Sequence, residues 1–209
     1  MKIKSDKQHS SRLPLWLKLS YTLFVVLLAS VYLTEYGIEN FLWGSDIALL
    51  VTVFGLWLEN RFLISMMIIG VLLPEFLWNI AFFSQLIAGY DVLSLNLTAY
   101  MFDPNRLLIL RYLSLFHVFL PIVLFYAVLR LGYDSRAFRA QCLLVWIILP
   151  VSYFFTDPER NINGVFGLGA EPQTMMSGGA YLLLIMLLYP LLLSLPTHLA
   201  LNYFFKNKK

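Results

Sequence analysis

A single cysteine, Cys142, stands in this chain of 209 residues. Its isolation excludes an intrachain disulfide, a thiolate metal cluster and a Cys-x-x-Cys redox pair. Charge is scarce too: Asp, Glu, Lys and Arg make up 13% of the residues, against roughly a quarter in an ordinary soluble domain. Histidine is confined to His9, His117 and His198, so no paired-histidine zinc signature exists, and only a His, Asp and Glu set drawn from three helices is left open. No glycine-rich nucleotide loop of the Walker or dinucleotide type occurs, and no cofactor is expected. No basic stripe with interleaved aromatics accompanies the net charge of +3, which argues against nucleic acid as a partner. No Ser, Gly or charge-rich linker divides the chain, so one domain is expected.

What the chain has is apolar length. Hydrophobic residues make up 60% of it, and the mean hydropathy is +0.75. A bilayer core of about 30 Å needs roughly 20 apolar helical residues. Six stretches qualify, near 17–34, 41–58, 62–88, 107–131, 138–155 and 179–205. The expected fold is therefore all-α, a polytopic bundle of about six transmembrane helices.

Positive charge orients it. Segments that stay in the cytoplasm retain Lys and Arg. With the N-terminus inside, the inner loops hold Lys2, Lys4, Lys7, Arg12, Lys18, Arg61, Arg130, Arg136, Arg139, Lys206, Lys208 and Lys209, and the outer loops hold only Arg106, Arg111 and Arg160. This predicts a basic cytoplasmic segment over 1–16, a transmembrane domain over 17–205 and a cytoplasmic tail over 206–209, in the cell's inner membrane. The first span reads as an uncleaved signal anchor. Anionic membrane lipids are the expected neighbours of the basic ends. Two outer connections, about 89–106 and 156–178, are long enough to be lids or binding loops.

Ionisable residues at membrane depth are costly and mark function. Ser45 and Asp46 fall on the second span, Glu75 and Asn79 on the third and His117 on the fourth. At about 1.5 Å per residue, Asn79 and His117 share one depth and Glu75 lies a turn deeper. Glu75 and Asn79, four apart, project from one helix face. Pro74 leaves the carbonyl of Gly70 without its helical donor, and Pro121 does the same to the carbonyl of His117, so the fourth helix is expected to bend at its histidine. Such carbonyls in a membrane need another donor. The expectation is a polar pocket in the outer half of the bundle. Its catalytic reading requires that His117 not face lipid and that it lie within about 8 Å of one of the other four residues, so that the groups can act together. His198 lies far deeper and is expected to be structural, while Trp43, Trp78 and Trp146 read as interfacial belts and packing.

Two resemblances arise at these residues. Ser45 to Leu50, then Met101, Phe102, Asp103 and Pro104, then Leu115, Phe116 and His117, then Gly132, Tyr133 and Asp134, and finally Pro196, Thr197, His198 and Leu199 together resemble a bacterial family of integral membrane proteins described only as membrane-associated. That resemblance implies the topology and no activity. Phe41, Leu42, Ser45, Asp46, Phe54, Gly55, Pro74, His117, Leu120 and Pro121 are similar to the androgen-induced-protein family, six-helix intramembrane hydrolases of fatty-acid esters that use a threonine and a histidine. The resemblance implies a role for His117 and Asp46. Trp43 stands at the threonine position, so the nucleophile does not carry over, and Ser45, two residues on, is turned by about 200° on a helix.

The leading expectation is an intramembrane hydrolase or acyltransferase acting on a lipid-like ester, with His117 as base. Its nucleophile is Ser45 or a water held by Asp46 and Asn79, and Glu75 tunes the imidazole. The alternative is a non-enzymatic carrier of lipids or small molecules, or an accessory subunit, with Glu75 and His117 as a proton relay. The first and second three spans share no motif, which weighs against a transporter built from repeats. A homo-oligomer remains compatible with either.

Overall fold

The computed structural model describes residues 12–168 and 172–207. Lys2, Lys4, Lys7, Lys208 and Lys209, and with them most of the basic N-terminal segment and the end of the tail, lie outside the described residues. Among those described, every regular element is helical. The helices are α1 (Leu15–Tyr36), α2 (Gly44–Trp57), α3 (Arg61–Ala88), α4 (Ala99–Phe102), α5 (Leu108–Ser114), α6 (Phe116–Leu131), α7 (Ala137–Phe155), α8 (Gly178–Leu188) and α9 (Leu195–Lys206).

Five helical stretches are long and apolar enough to cross a membrane: α1, α3, α5 with α6, α7, and α8 through α9. The second expected span is shorter than the sequence suggests. A 3-10 turn over Ile38–Leu42 precedes α2, and the 14 residues of α2 rise only about 21 Å. Large apolar side chains face outward along the bundle, Trp16, Leu23, Ile87 and Phe155 being 68%, 71%, 82% and 75% exposed, while Asp46, Glu75 and Gln141 are buried. This inversion of the soluble pattern, apolar outside and ionisable inside, is that of a multi-pass membrane protein.

Between helices already in lipid, close packing rather than expulsion of water holds the bundle together. α3 is its centre, packed against α2, α6, α7 and α9. Two glycines let the backbones approach. A Cβ on Gly55 would stand 2.6 Å from Ile64 Cδ1 where α2 meets α3, and one on Gly70 would overlap the amide of Gln141 from α7.

The chain's described ends meet at one end of the bundle, here the proximal end. Glu59, held at φ 47° in the α2–α3 turn, accepts from Lys18 Nζ at 2.8 Å and from the backbone N–H groups of Arg12 and Leu13. Arg130 Nε, at the end of α6, donates to the Arg12 carbonyl at 3.1 Å. Next to Asn60, whose side chain caps α3 by accepting from Phe62 and Leu63 N–H, Arg61 reaches Asp134. Tyr133 in turn meets Phe205 and His198 of α9.

At the opposite, distal end lie two of the three arginines that break the charge bias. Arg106 Nη1 donates to Tyr36 Oη at 2.8 Å, and its guanidinium lies over the Tyr36 and Tyr100 rings. Arg160 donates to the Tyr36 carbonyl, Glu39 and Asn40. Both clamp the link between α1 and α2, which gives them a structural reason to be there.

α5 and α6 are separated at Leu115 (ψ −2°), so the break falls two residues before His117 rather than at it. Pro121 leaves the His117 carbonyl without its helical donor, and the turn before it loosens. The last span also departs from regularity, with a π-helical turn over Tyr189–Ser194 that contains Pro190 and is followed by Pro196. Two prolines without N–H groups disturb the hydrogen-bond ladder there.

Candidate functional site

α3 and α6 bring Glu75, Asn79 and His117 together. His117 Nδ1 lies 2.7 Å from Glu75 Oε2, in a pair whose side chains are 15% and 2% exposed. The distance condition for the catalytic reading is thus met by Glu75. Asn79 Nδ2 donates to the His117 carbonyl at 2.8 Å and to the Glu75 carbonyl at 2.7 Å. The first of these bonds supplies the donor that Pro121 removed. Asn79 therefore braces the two helices at the level of the imidazole, and its amide nitrogen is committed to backbone rather than to holding a water.

Two rings fix the imidazole plane. Trp78 stacks on His117 at 4.6 Å between centroids with 23° between planes, and Phe116 lies at 4.0 Å and 28°. Trp78 is thus a packing residue of the centre, buried at 6% exposure. Its Nε1–H donates to Tyr100 Oη at 3.2 Å, and Tyr100 belongs to α4 within the 89–106 connection. That connection roofs the centre. The Tyr100 hydroxyl sits beside Ser114, whose Oγ is 2.8 Å from Tyr32 Oη, so a line of polar groups runs from Trp78 across to α1.

Asp46 enters from α2, 4% exposed and within electrostatic range of both His117 and Glu75. One oxygen of each acid, Asp46 Oδ1 and Glu75 Oε1, is buried without a hydrogen-bond partner. Ser45 is half-buried one residue earlier, and the structure gives its hydroxyl no bond to the imidazole, in keeping with its rotation around α2. Four of the five expected residues therefore share one neighbourhood, and Ser45 stands apart. Among the described residues no three His, Cys, Asp or Glu side chains cluster closely enough to hold a metal ion. His198 is engaged elsewhere, with Nδ1 at 2.5 Å from Tyr133 Oη and its ring stacked on Phe138.

The 156–178 connection does a different job. Asn163, at φ 59°, accepts at Oδ1 from Gly44 N–H at 2.9 Å, which satisfies the first turn of α2 from across the chain. Its Nδ2 donates to the Leu42 carbonyl and to Ser152 Oγ, and its own carbonyl accepts from Tyr189 Oη at 2.5 Å. Trp78 could have been read from the sequence, since it follows Glu75 by three positions on one helix face. Tyr100 and Asn163 carry no such periodic signal.

One turn along α6 from the pair, an apolar groove of about 380 Å³ opens on the outer surface of the bundle between α3 and α6, lined by Leu72, Pro121, Phe125 and Leu129 among others. No family model, no curated protein and no solved structure matches the chain, so the two resemblances rest on their quoted residues alone.

Proposed function

We propose that this protein is an intramembrane hydrolase of a lipid-like ester in which His117, oriented by Glu75, is the general base. The observation that carries the reading is the 2.7 Å contact between Glu75 Oε2 and His117 Nδ1. With the glutamate ionised, Nδ1–H donates to it and Nε2 keeps its lone pair, the arrangement a general base requires. Since no hydroxyl among the described residues is bonded to the imidazole, water is the nucleophile. Nε2 takes a proton from it as its oxygen attacks the ester carbonyl. The resulting imidazolium returns that proton to the departing alkoxide, giving an acid and an alcohol. An alcohol in place of the water makes the same step an acyl transfer. The groove below Pro121 offers the acyl chain a path in from the bilayer, so no aqueous cleft is needed.

The buried, unpartnered oxygens of Asp46 and Glu75 favour a second reading, a proton relay in a carrier. We place the protein in the inner membrane with both termini in the cytoplasm, on the distribution of Lys and Arg.

The test is a single turnover of long-chain acyl esters by the protein in liposomes containing H₂¹⁸O. The hydrolase reading expects one ¹⁸O in the released acid and no label on a fluorophosphonate-treated chain. Covalent labelling of the chain overturns the water step. No ester cleavage, together with proton uptake across the liposome, moves the function to the relay.

A further inference from the structure

We propose that a cavity at the proximal end binds the phosphate of an anionic phospholipid headgroup. The cavity measures about 460 Å³ and is lined by Arg61, Arg136, Asp134, Tyr133 and Phe205 among others. It lies where the α2–α3 turn, the α6–α7 loop and the last turns of α9 meet, more than one helical turn beyond the Glu75–His117 centre, and it is independent of the hydrolase reading.

One carboxylate holds two guanidiniums side by side. Asp134 Oδ2 is 2.8 Å from Arg136 Nη2 and 3.5 Å from Arg61 Nε, and Oδ1 accepts from Arg136 Nε and N–H. Asp134 is fixed in turn by Ser65 Oγ, which accepts from its N–H at 3.0 Å. The hydrogen bonds from Arg136 hold the Asp134 carboxyl below the usual carboxylate range, so it stays ionised and the trio carries one net positive charge. The acid is nearly covered at 4% exposure while the arginines are 60% and 77% exposed. The cavity therefore presents positive charge outward with Asp134, the one acid among the described lining residues, beneath. Arg136 spends its Nε–Nη2 edge and Arg61 its Nε on Asp134, which leaves the Nη ends of both guanidiniums to donate to a phosphate.

Two further features point the same way. The N-termini of α3 and α7, helices of 28 and 19 residues, converge on the cavity and add partial positive charge. The wall opposite is aromatic, the Tyr133 and Phe205 rings lying 6.2 Å apart, and it continues onto Phe204, whose ring lies 5.2 Å from that of Phe205, a surface at headgroup level that suits glycerol and the upper acyl chain. A free phosphate would use the arginines and leave this wall unused, so the lipid is the better fit.

The experiment is native mass spectrometry of the intact protein titrated with phosphatidylglycerol or phosphatidylcholine in detergent, with and without excess inorganic phosphate. The wild type is expected to prefer phosphatidylglycerol, and Arg61→Gln/Arg136→Gln to weaken that binding at least about tenfold, as loss of charge-assisted bonds requires. Arg139→Gln, one turn further along α7, is expected to leave it intact, and Arg61→Lys/Arg136→Lys to retain part of it. Equal binding of the two lipids by the wild type overturns the proposal whatever the variants do. An equal loss in Arg139→Gln reduces the site to diffuse charge and also overturns it, and complete displacement by inorganic phosphate assigns the cavity to a free anion instead.

Discussion

Two buried polar knots sit in this bundle, and they are built to opposite specifications. Around Asn163 every bond is closed: the amide gives two, takes one, and the backbone carbonyl takes a fourth. Around Glu75 and His117 the backbone is equally well served, by Asn79, yet two carboxylate oxygens are left without partners. A closed polar network stabilises and specifies, whereas an open one in a low-dielectric interior is costly. Such a cost persists where the open valences are used, and for that reason function is assigned to the second knot and structure to the first.

Four experiments break or sharpen this contrast. The largest effect is expected for His117→Asn, which keeps a donor toward Glu75 but removes the Nε2 base: ester hydrolysis should fall by about 10² to 10⁴-fold, read as kcat, with little change in melting temperature. Asn79→Leu comes next. It strands the carbonyl of His117, to which Pro121 offers no helical donor, and should cost about 1–3 kcal/mol, measured by chemical unfolding in detergent. An unchanged stability would show that the bend before His117 does not need its brace.

Asn163→Ala opens the closed knot. The lost cap of α2 should cost about 1–2 kcal/mol with hydrolysis preserved per folded molecule, and loss of activity at full stability would merge the two regions into one site. The smallest effect belongs to the proximal loop. Because Arg136 depresses the folded pKa of Asp134, its contribution to stability is complete above the unfolded value of about 3.9 and is lost as pH falls through the lower folded value. Wild type should thus lose melting temperature as pH falls below about 3.9 more steeply than Asp134→Asn, and parallel curves would remove the ion pair from the account.

How far the sequence carried this picture depends on periodicity. Apolar runs placed the five long helices, because bilayer thickness fixes their length. The proline at position 121 and the polar residues at 75, 79 and 117 marked the centre, because each is expensive in lipid and helical rise sets their depth. Legibility failed where a local rule met a tertiary contact. α2 is short because its chain enters through a 3-10 turn pinned by Arg160 and Asn163, residues more than 100 positions away. Ser45 was a plausible hydroxyl by adjacency alone and faces elsewhere. Asn163 in the 156–178 connection ties α2 to α7 and to the last span, and the 89–106 connection supplies Tyr100 through a four-residue helix that no pattern announces.

The most direct test of the central claim pairs hydrolysis with melting temperature for Glu75→Gln and Asn163→Ala in the same liposomes. The account predicts that Glu75→Gln, which removes the carboxylate that orients the imidazole, lowers kcat by on the order of 10²-fold while its melting temperature holds or rises, and that Asn163→Ala does the reverse. A Glu75→Gln protein that melts early yet turns over at the wild-type rate would contradict it, making the pair a structural bond and returning the function of this bundle to an open question.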